Sequence, residues 1–162
     1  MSNDSRNFEK LVRFEPLFSF YGDLANPIDL STTPYGHRII VEVKGVAFEG
    51  EELKGPIRPL SGAEWATVYE DHILLNVCLT FETHDRACIY VEYMGRARIT
   101  EHLLKALSGG DAKAEFGETY FFTNPRMQTG DERYRWVNSA FCVAQGCASP
   151  NRVEYNVYQG VN

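Results

Sequence analysis

The chain has no apolar run near the roughly 18 residues that a membrane-crossing helix needs, and its opening, MSNDSRNFEK, lacks both the basic start and the apolar stretch of a secretory leader. A cytoplasmic protein with no membrane partner is the expectation. Its four cysteines, Cys78, Cys88, Cys142 and Cys147, form no C-x-x-C pair, which in a cytoplasmic chain of this size reads as free thiols. Positive charge is scarce as well: 16 Lys and Arg against 22 Asp and Glu leave a net charge of -6, which argues against a nucleic-acid partner. There is no G-x-G-x-x-G, no phosphate loop and no G-x-S-x-G elbow, so nothing points to a dinucleotide, a nucleoside triphosphate or serine-esterase chemistry. His37, His72, His84 and His102 show neither H-x-H nor H-E-x-x-H spacing, and no metal site is expected. His72 and His84 fall in turns, where a histidine is more often solvated than a proton carrier.

What is present is aromatic and apolar material for one core. The 162 residues suit a single domain, and 44% hydrophobic content supplies its interior. Residues 1–13 are polar enough to read as a flexible leading segment, and 14–162 as the domain. FEPLFSFYGDL (14–24), HRIIVEVKGVAFEG (37–50, with a bulge at Gly45) and LKGPIRPL (53–60, short and irregular) read as strands. LLNVCLTFETHDRACIYVEYMG (74–95) is the clearest hairpin. Leu75, Val77, Leu79 and Phe81 alternate with Asn76, Cys78, Thr80 and Glu82, which gives the strand an apolar and a polar face. TEHLLKALSGG (100–110) is the one convincing helix, with Thr100 as cap and Gly109 as stop. TYFFT (119–123), RWVNSAFCVAQG (135–146) and RVEYNVYQ (152–159) complete the strands. About eight strands and one helix, with no alternation of strand and helix, predict a mainly β fold, an antiparallel barrel or a closed sandwich, and a barrel of that size can hold one small ligand.

Five blocks, EPLFSFYGDL, TPYGHR, FEGEELKGPIRPLSGAEW, LTFETHDRACIYVEYMG and NPRMQTGDERYRWVN, stand in the order and spacing of the bacterial and fungal family called domain of unknown function 3237, and on them the chain resembles that family from about Phe14 to Tyr158. The resemblance implies a calycin-like β-barrel, often a homodimer. A few members look like cofactor-independent lyases that remove a one-carbon unit from a lignin-derived phenylcoumaran and leave a stilbene. Two blocks depart from the usual pattern: Gly-Gly-Ala-Asp-Trp appears as SGAEW, and an Asp-x-Arg pair on the central strand appears as Asn76 and Cys78.

Such a lyase needs a base at a phenol, a proton donor at the departing ether oxygen and an apolar chamber, and neither a metal nor an organic cofactor is expected. The polar face of the hairpin offers Tyr90 with Glu82 and Glu92 as acid-base residues, provided that the face lines the lumen; if it meets water, Tyr90 is an ordinary cross-strand residue. Arg58 and Arg126, beside prolines, present planar forks to a carboxylate or phenolate of the small aromatic substrate. Trp65, Trp136 and Tyr35 offer stacking surfaces, and Asn138, read on one strand with Trp136, shares its face. Asp131 after Gly130 reads as a turn cap. A binding barrel without catalysis, or an isomerase or cyclase of another aromatic metabolite, uses the same residue types.

Overall fold

The computed structural model describes residues 12–58 and 61–162, with the side chains of residues 57 and 58 outside the description. Their order is β1 (Arg13–Leu24), β2 (Ile28–Thr33), β3 (Gly36–Gly50), β4 (Gly55–Arg58), β5 (Gly62–Val68), β6 (His72–Glu82), β7 (Cys88–Arg98), helix α1 (Glu101–Leu107), β8 (Phe121–Thr123), β9 (Arg126–Gln128), a 3-10 helix (Glu132–Ser139), β10 (Cys142–Ser149) and β11 (Arg152–Val161). The expected leading segment lies outside the described residues up to residue 11.

Eight of the strands close a barrel in the order β1-β11-β10-β8-β7-β6-β5-β3, and β3 returns to β1. Every neighbouring pair is antiparallel. A closed sheet has no free edge, which suits strands rich in Val, Ile, Phe and Tyr. The mainly β, antiparallel barrel expected from the alternation is therefore the observed fold. β3 is long enough to serve two neighbours on one side. Its second half pairs with β1, and its first half pairs with β2 in a hairpin whose turn Gly36 completes at φ 107°. The register of β1 against β3 slips between Asp23/Gly45 and Leu24/Val43, so the bulge falls at Lys44, next to the predicted Gly45.

Alternation decides what faces inward. On β6, Ile73, Leu75, Val77, Leu79 and Phe81 are buried, while His72, Leu74, Asn76, Cys78, Thr80 and Glu82 face away from the core. One half of the interior is an aromatic plug: Phe48 stacks on Phe81 at 4.5 Å between ring centroids, Phe20 stacks on Tyr155 at 4.7 Å, and Phe18 meets Phe81 edge-on. Gly146 makes room for this plug, since a Cβ there would strike the rings of Phe121 and Tyr155. The other half is open, and α1 packs over it.

Helix α1 starts where Thr100 caps the Leu103 amide at 3.1 Å and ends before Gly109 at φ 79°. It buries Leu103 and Ala106. The segment read as a strand over 135–146 is different in its first part. Asp131 accepts from the Arg133 amide at 3.0 Å and starts a 3-10 helix that runs to Ser139, and strand geometry begins only at Cys142. Arg135 reaches Glu132 three residues back, the spacing that a 3-10 helix eclipses. The four cysteines are free, Cys142 and Cys147 being buried. No helix among the described residues is long and apolar enough to cross a membrane.

Candidate functional site

Leu24, Ile39, Val41, Ala66, Val68, Ile73, Leu75, Ala97, Phe121 and Val153, closed by Leu103, Leu104 and Leu107 of α1, enclose a cavity of about 290 Å³ in the open half of the barrel. Its wall carries one carboxyl group, that of Glu64. β5 positions it: Glu64, Ala66 and Val68 point into the lumen, while Trp65 points out and is 37% exposed. In register, Glu64 stands between Val41 of β3 and Val77 of β6, and Val77 is paired with Tyr93 of β7. Glu64 and Tyr93 thus lie on one rung, at the boundary between cavity and aromatic plug.

Tyr93 and Tyr155 are buried, with ring centroids 5.4 Å apart, and their hydroxyls hydrogen-bond to each other. Glu64 has no such partner; among the described residues no side chain ion-pairs with it. Glu64 is half-buried as a residue, and protein surrounds its carboxyl. Removal from bulk water disfavours the anion and lifts its pKa from 4.5 to about 7. Burial, above all, also raises both tyrosines far beyond their ordinary range, so they stay protonated near neutrality. At the rim of the same cavity stands His37, whose Nε2 lies 2.6 Å from Asp29 Oδ1.

The residues expected from the sequence to carry chemistry lie elsewhere. Tyr90 is on the outer surface, where its hydroxyl donates to Cys78 Sγ and Glu92 Oε2, both at 3.2 Å. Hydrogen bonding to the Cys78 sulfur, with burial and Glu92 adding to it, pushes Tyr90 up to about 12. Glu92 pairs with Arg126 at 2.8 Å, and Glu82 with Arg86 at 3.5 Å. Trp65 joins Tyr90, Cys78 and Thr80 around a shallow outer groove. The sheet therefore brings Tyr90, Glu92, Arg126 and Trp65 to one outer face, separated from the lumen by the barrel wall. Tyr35 is 83% exposed at the tip of the β2–β3 hairpin. Arg58 ends β4, and its side chain lies outside the described residues.

Trp136 and Asn138 belong to the 3-10 helix and not to a strand, so they share no face. Trp136 packs on the core, and the Asn138 amide clamps the Thr129 backbone, accepting from its N–H at 2.8 Å and donating to its carbonyl at 3.0 Å. Asp131 is a cap that also holds the Arg133 guanidinium, which pairs with Asp85 at 2.8 Å. His72 pairs with Asp71 and stacks on Tyr69 outside the barrel. Among the described residues no group of three or more His, Cys, Asp or Glu is placed to hold a metal ion.

Sequence reading missed Glu64 because β5 was not recognised as a strand. Its signal was the alternation in GAEWATV: with Trp65 outward, Glu64 must share the inner face with Ala66 and Val68. The carboxylate of the SGAEW block, a Glu where the resembled pattern has Asp, is this lumen carboxyl.

Known proteins extend the picture. The UPF0311 protein RPA1785 of Rhodopseudomonas palustris is 30% identical over 139 residues, which is 85% of this chain and 88% of that protein. Its crystal structure, described as a conserved protein of unknown function, superposes with a TM-score of 0.84 at 26% identity, covering 93% of this chain and 99% of that one. A β-barrel-like protein from Acinetobacter baumannii matches with a TM-score of 0.77 at 26% identity over 96% and 100% of the two chains. An enzyme from Penicillium herquei shares the fold with a TM-score of 0.60, at 17% identity over 93% and 95%. The family model described as protein of unknown function (DUF3237) matches residues 12–160, and the chain belongs to that family.

Proposed function

We propose that the protein is a carbon-carbon lyase that binds a phenolic, lignin-derived aromatic dimer of the phenylcoumaran type in its lumen, releases a one-carbon unit and leaves a stilbene. The observation that supports this reading is Glu64, a carboxyl without an ion-pair partner among the described residues on a mostly apolar wall, lifted to about 7 and so able to give and take a proton at neutral pH. A cavity of about 290 Å³ lies just below the roughly 300–1,000 Å³ typical of ligand sites and favours flat aromatic rings. The enzyme from Penicillium herquei on the same fold is consistent with a catalytic barrel.

The steps balance without an oxidant. Loss of the phenolic proton pushes an electron pair through the ring and breaks the benzylic carbon-oxygen bond of the dihydrofuran. Protonated Glu64 gives its proton to the departing oxygen, which leaves a para-quinone methide and a new phenol. The Glu64 carboxylate then takes the proton of the terminal hydroxyl. The carbon-carbon bond breaks, formaldehyde leaves, and the pair flows into the quinone methide to give the stilbene phenolate, which regains the first proton. With a terminal carboxylate in place of the hydroxymethyl group, carbon dioxide leaves by the same electron flow, and Glu64 then regains its proton from solvent. The apolar wall keeps water from the quinone methide. Tyr93 and Tyr155 lie outside the cavity lining, in the aromatic plug next to it.

Glu64→Gln tests this reading: turnover should fall at least a hundredfold, in line with the typical contribution of one acid-base group, while the fold is retained. Full turnover by Glu64→Gln would overturn it. Saturable binding of the phenylcoumaran without chemical change would point instead to a binding barrel. The outer groove is a second place for the same chemistry because Tyr90 and Glu92 are hydrogen-bonded there, and Tyr90→Phe separates the two, since turnover should survive it if the lumen is the site.

A further inference from the structure

The lumen reading leaves one proton without a carrier, that of the phenol, and a second titratable group lines the same cavity. His37 opens β3, and His37, Ile39 and Val41 face the lumen in sequence, with Val41 paired to Glu64 and His37 paired to Val68. The local backbone is built around the imidazole. β2 carries a bulge between Asp29 and Thr32, Ser31 adopts φ 59°, and its amide donates to Asp29 Oδ1 at 2.7 Å. That places the Asp29 carboxylate diagonally across from His37, with Nε2 at 2.6 Å. The backbone bond from Ser31, followed by the bond from His37, holds the Asp29 carboxyl below its usual range, so it is an anion at neutral pH. An anion at Nε2 accepts the hydrogen bond of that nitrogen's N–H, so in the neutral ring the Nδ1 lone pair is the acceptor. Among the described residues nothing hydrogen-bonds to Nδ1.

Spacing then sets what fits between the two groups. Val41 and His37 are four residues apart on one strand, about 13 Å at roughly 3.3 Å per residue. Glu64 and His37 thus face the same cavity from positions separated along the barrel wall, with room for a ring between them. A single ring with a phenol oxygen at one end and a benzylic oxygen at the other is a ligand that could meet both.

Building on the lumen reading, we propose that His37, oriented by Asp29, is the base that takes the phenolic proton, and that with Glu64 it selects ligands whose para oxygens bracket one aromatic ring. The half-exposed rim position, 38% for the His37 side chain, lets that proton exchange with water.

The test uses two unreactive one-ring probes, 4-hydroxybenzaldehyde and 4-methoxybenzaldehyde, titrated by difference absorbance against the full-length protein. Wild type should bind the hydroxy compound about tenfold more tightly, as one added hydrogen bond of about 1.4 kcal/mol implies, with growth of its phenolate band. His37→Ala should bring the ratio close to one and remove the band. Asp29→Asn keeps the imidazole but loses its anchor, and should give an intermediate ratio; circular dichroism of each variant confirms the fold. A ratio and band unchanged in His37→Ala, or no saturable binding of either probe to wild type, overturns this inference. The lumen reading fails separately, if Glu64→Gln turns over a phenylcoumaran at the wild-type rate.

Discussion

A neutral amide at position 64 should make the protein more stable in alkali while changing little in acid. Burial lifts Glu64 from 4.5 to about 7, so the folded state holds a proton that the unfolded chain has already released. Below pH 4.5 both states are protonated and the group contributes no penalty. As pH rises from 4.5 to 7 the unfolded state alone ionises, and stability falls until the folded group ionises as well. The full shift corresponds to a loss of up to about 3 kcal/mol above pH 7, and Glu64→Gln abolishes it. For a chain of this size, about 2–4 °C per kcal/mol makes the expected gain in Tm of Glu64→Gln over wild type roughly 6–12 °C larger at pH 8 than at pH 4. Scanning calorimetry of both proteins at the two pH values reads this double difference, in which all other titrating groups cancel. A difference in Tm that is the same at pH 8 and pH 4 would refute the buried, proton-holding carboxyl.

Other expectations follow from the same packing. Phe81, fully buried between Phe18, Phe20 and Phe48, should cost about 3–5 kcal/mol on conversion to alanine, read as a lower urea midpoint with little change in slope. Tyr134→Phe removes the hydroxyl that donates to Asp85 at 2.8 Å and should cost about 1 kcal/mol in the same assay. Bonds from Thr83, then Tyr134, and the charge of Arg133 lower the Asp85 carboxyl below 3.8. The stability this confers is present above pH 3.8 and lost as pH falls through the folded value, so the Tm deficit of Asp85→Asn seen at pH 7 should shrink below pH 3.8.

Much of the fold was legible because its signal is local. The β6–β7 hairpin, the bulge beside Gly45 and the Thr100 cap each follow from alternation or turn chemistry within a dozen residues. The 3-10 helix was misread as strand because Trp136, Val137 and Phe141 look like strand material, while what fixes the helix is the Asp131 cap and the distant Asp85, which pairs with Arg133, 48 residues away in sequence. The candidate site was hidden for a related reason. A polar strand face adjoining tyrosine and glutamate is a conspicuous pattern, but the closed barrel puts the apolar face of β6 inside and turns Tyr90 outward. One charged residue inside a short, unnoticed strand became the lumen carboxyl, because the register of β5 against β3 and β6 is a long-range property.

The most direct test is turnover of a racemic phenolic phenylcoumaran by purified, chelator-treated wild type, Glu64→Gln and Tyr90→Phe, followed by ultraviolet absorbance for stilbene and by mass analysis for the lost carbon. Stilbene from wild type and Tyr90→Phe, with at least a hundredfold less from Glu64→Gln, is the expected outcome. Undiminished stilbene from Glu64→Gln, or its loss in Tyr90→Phe alone, would contradict a reaction centred in the lumen.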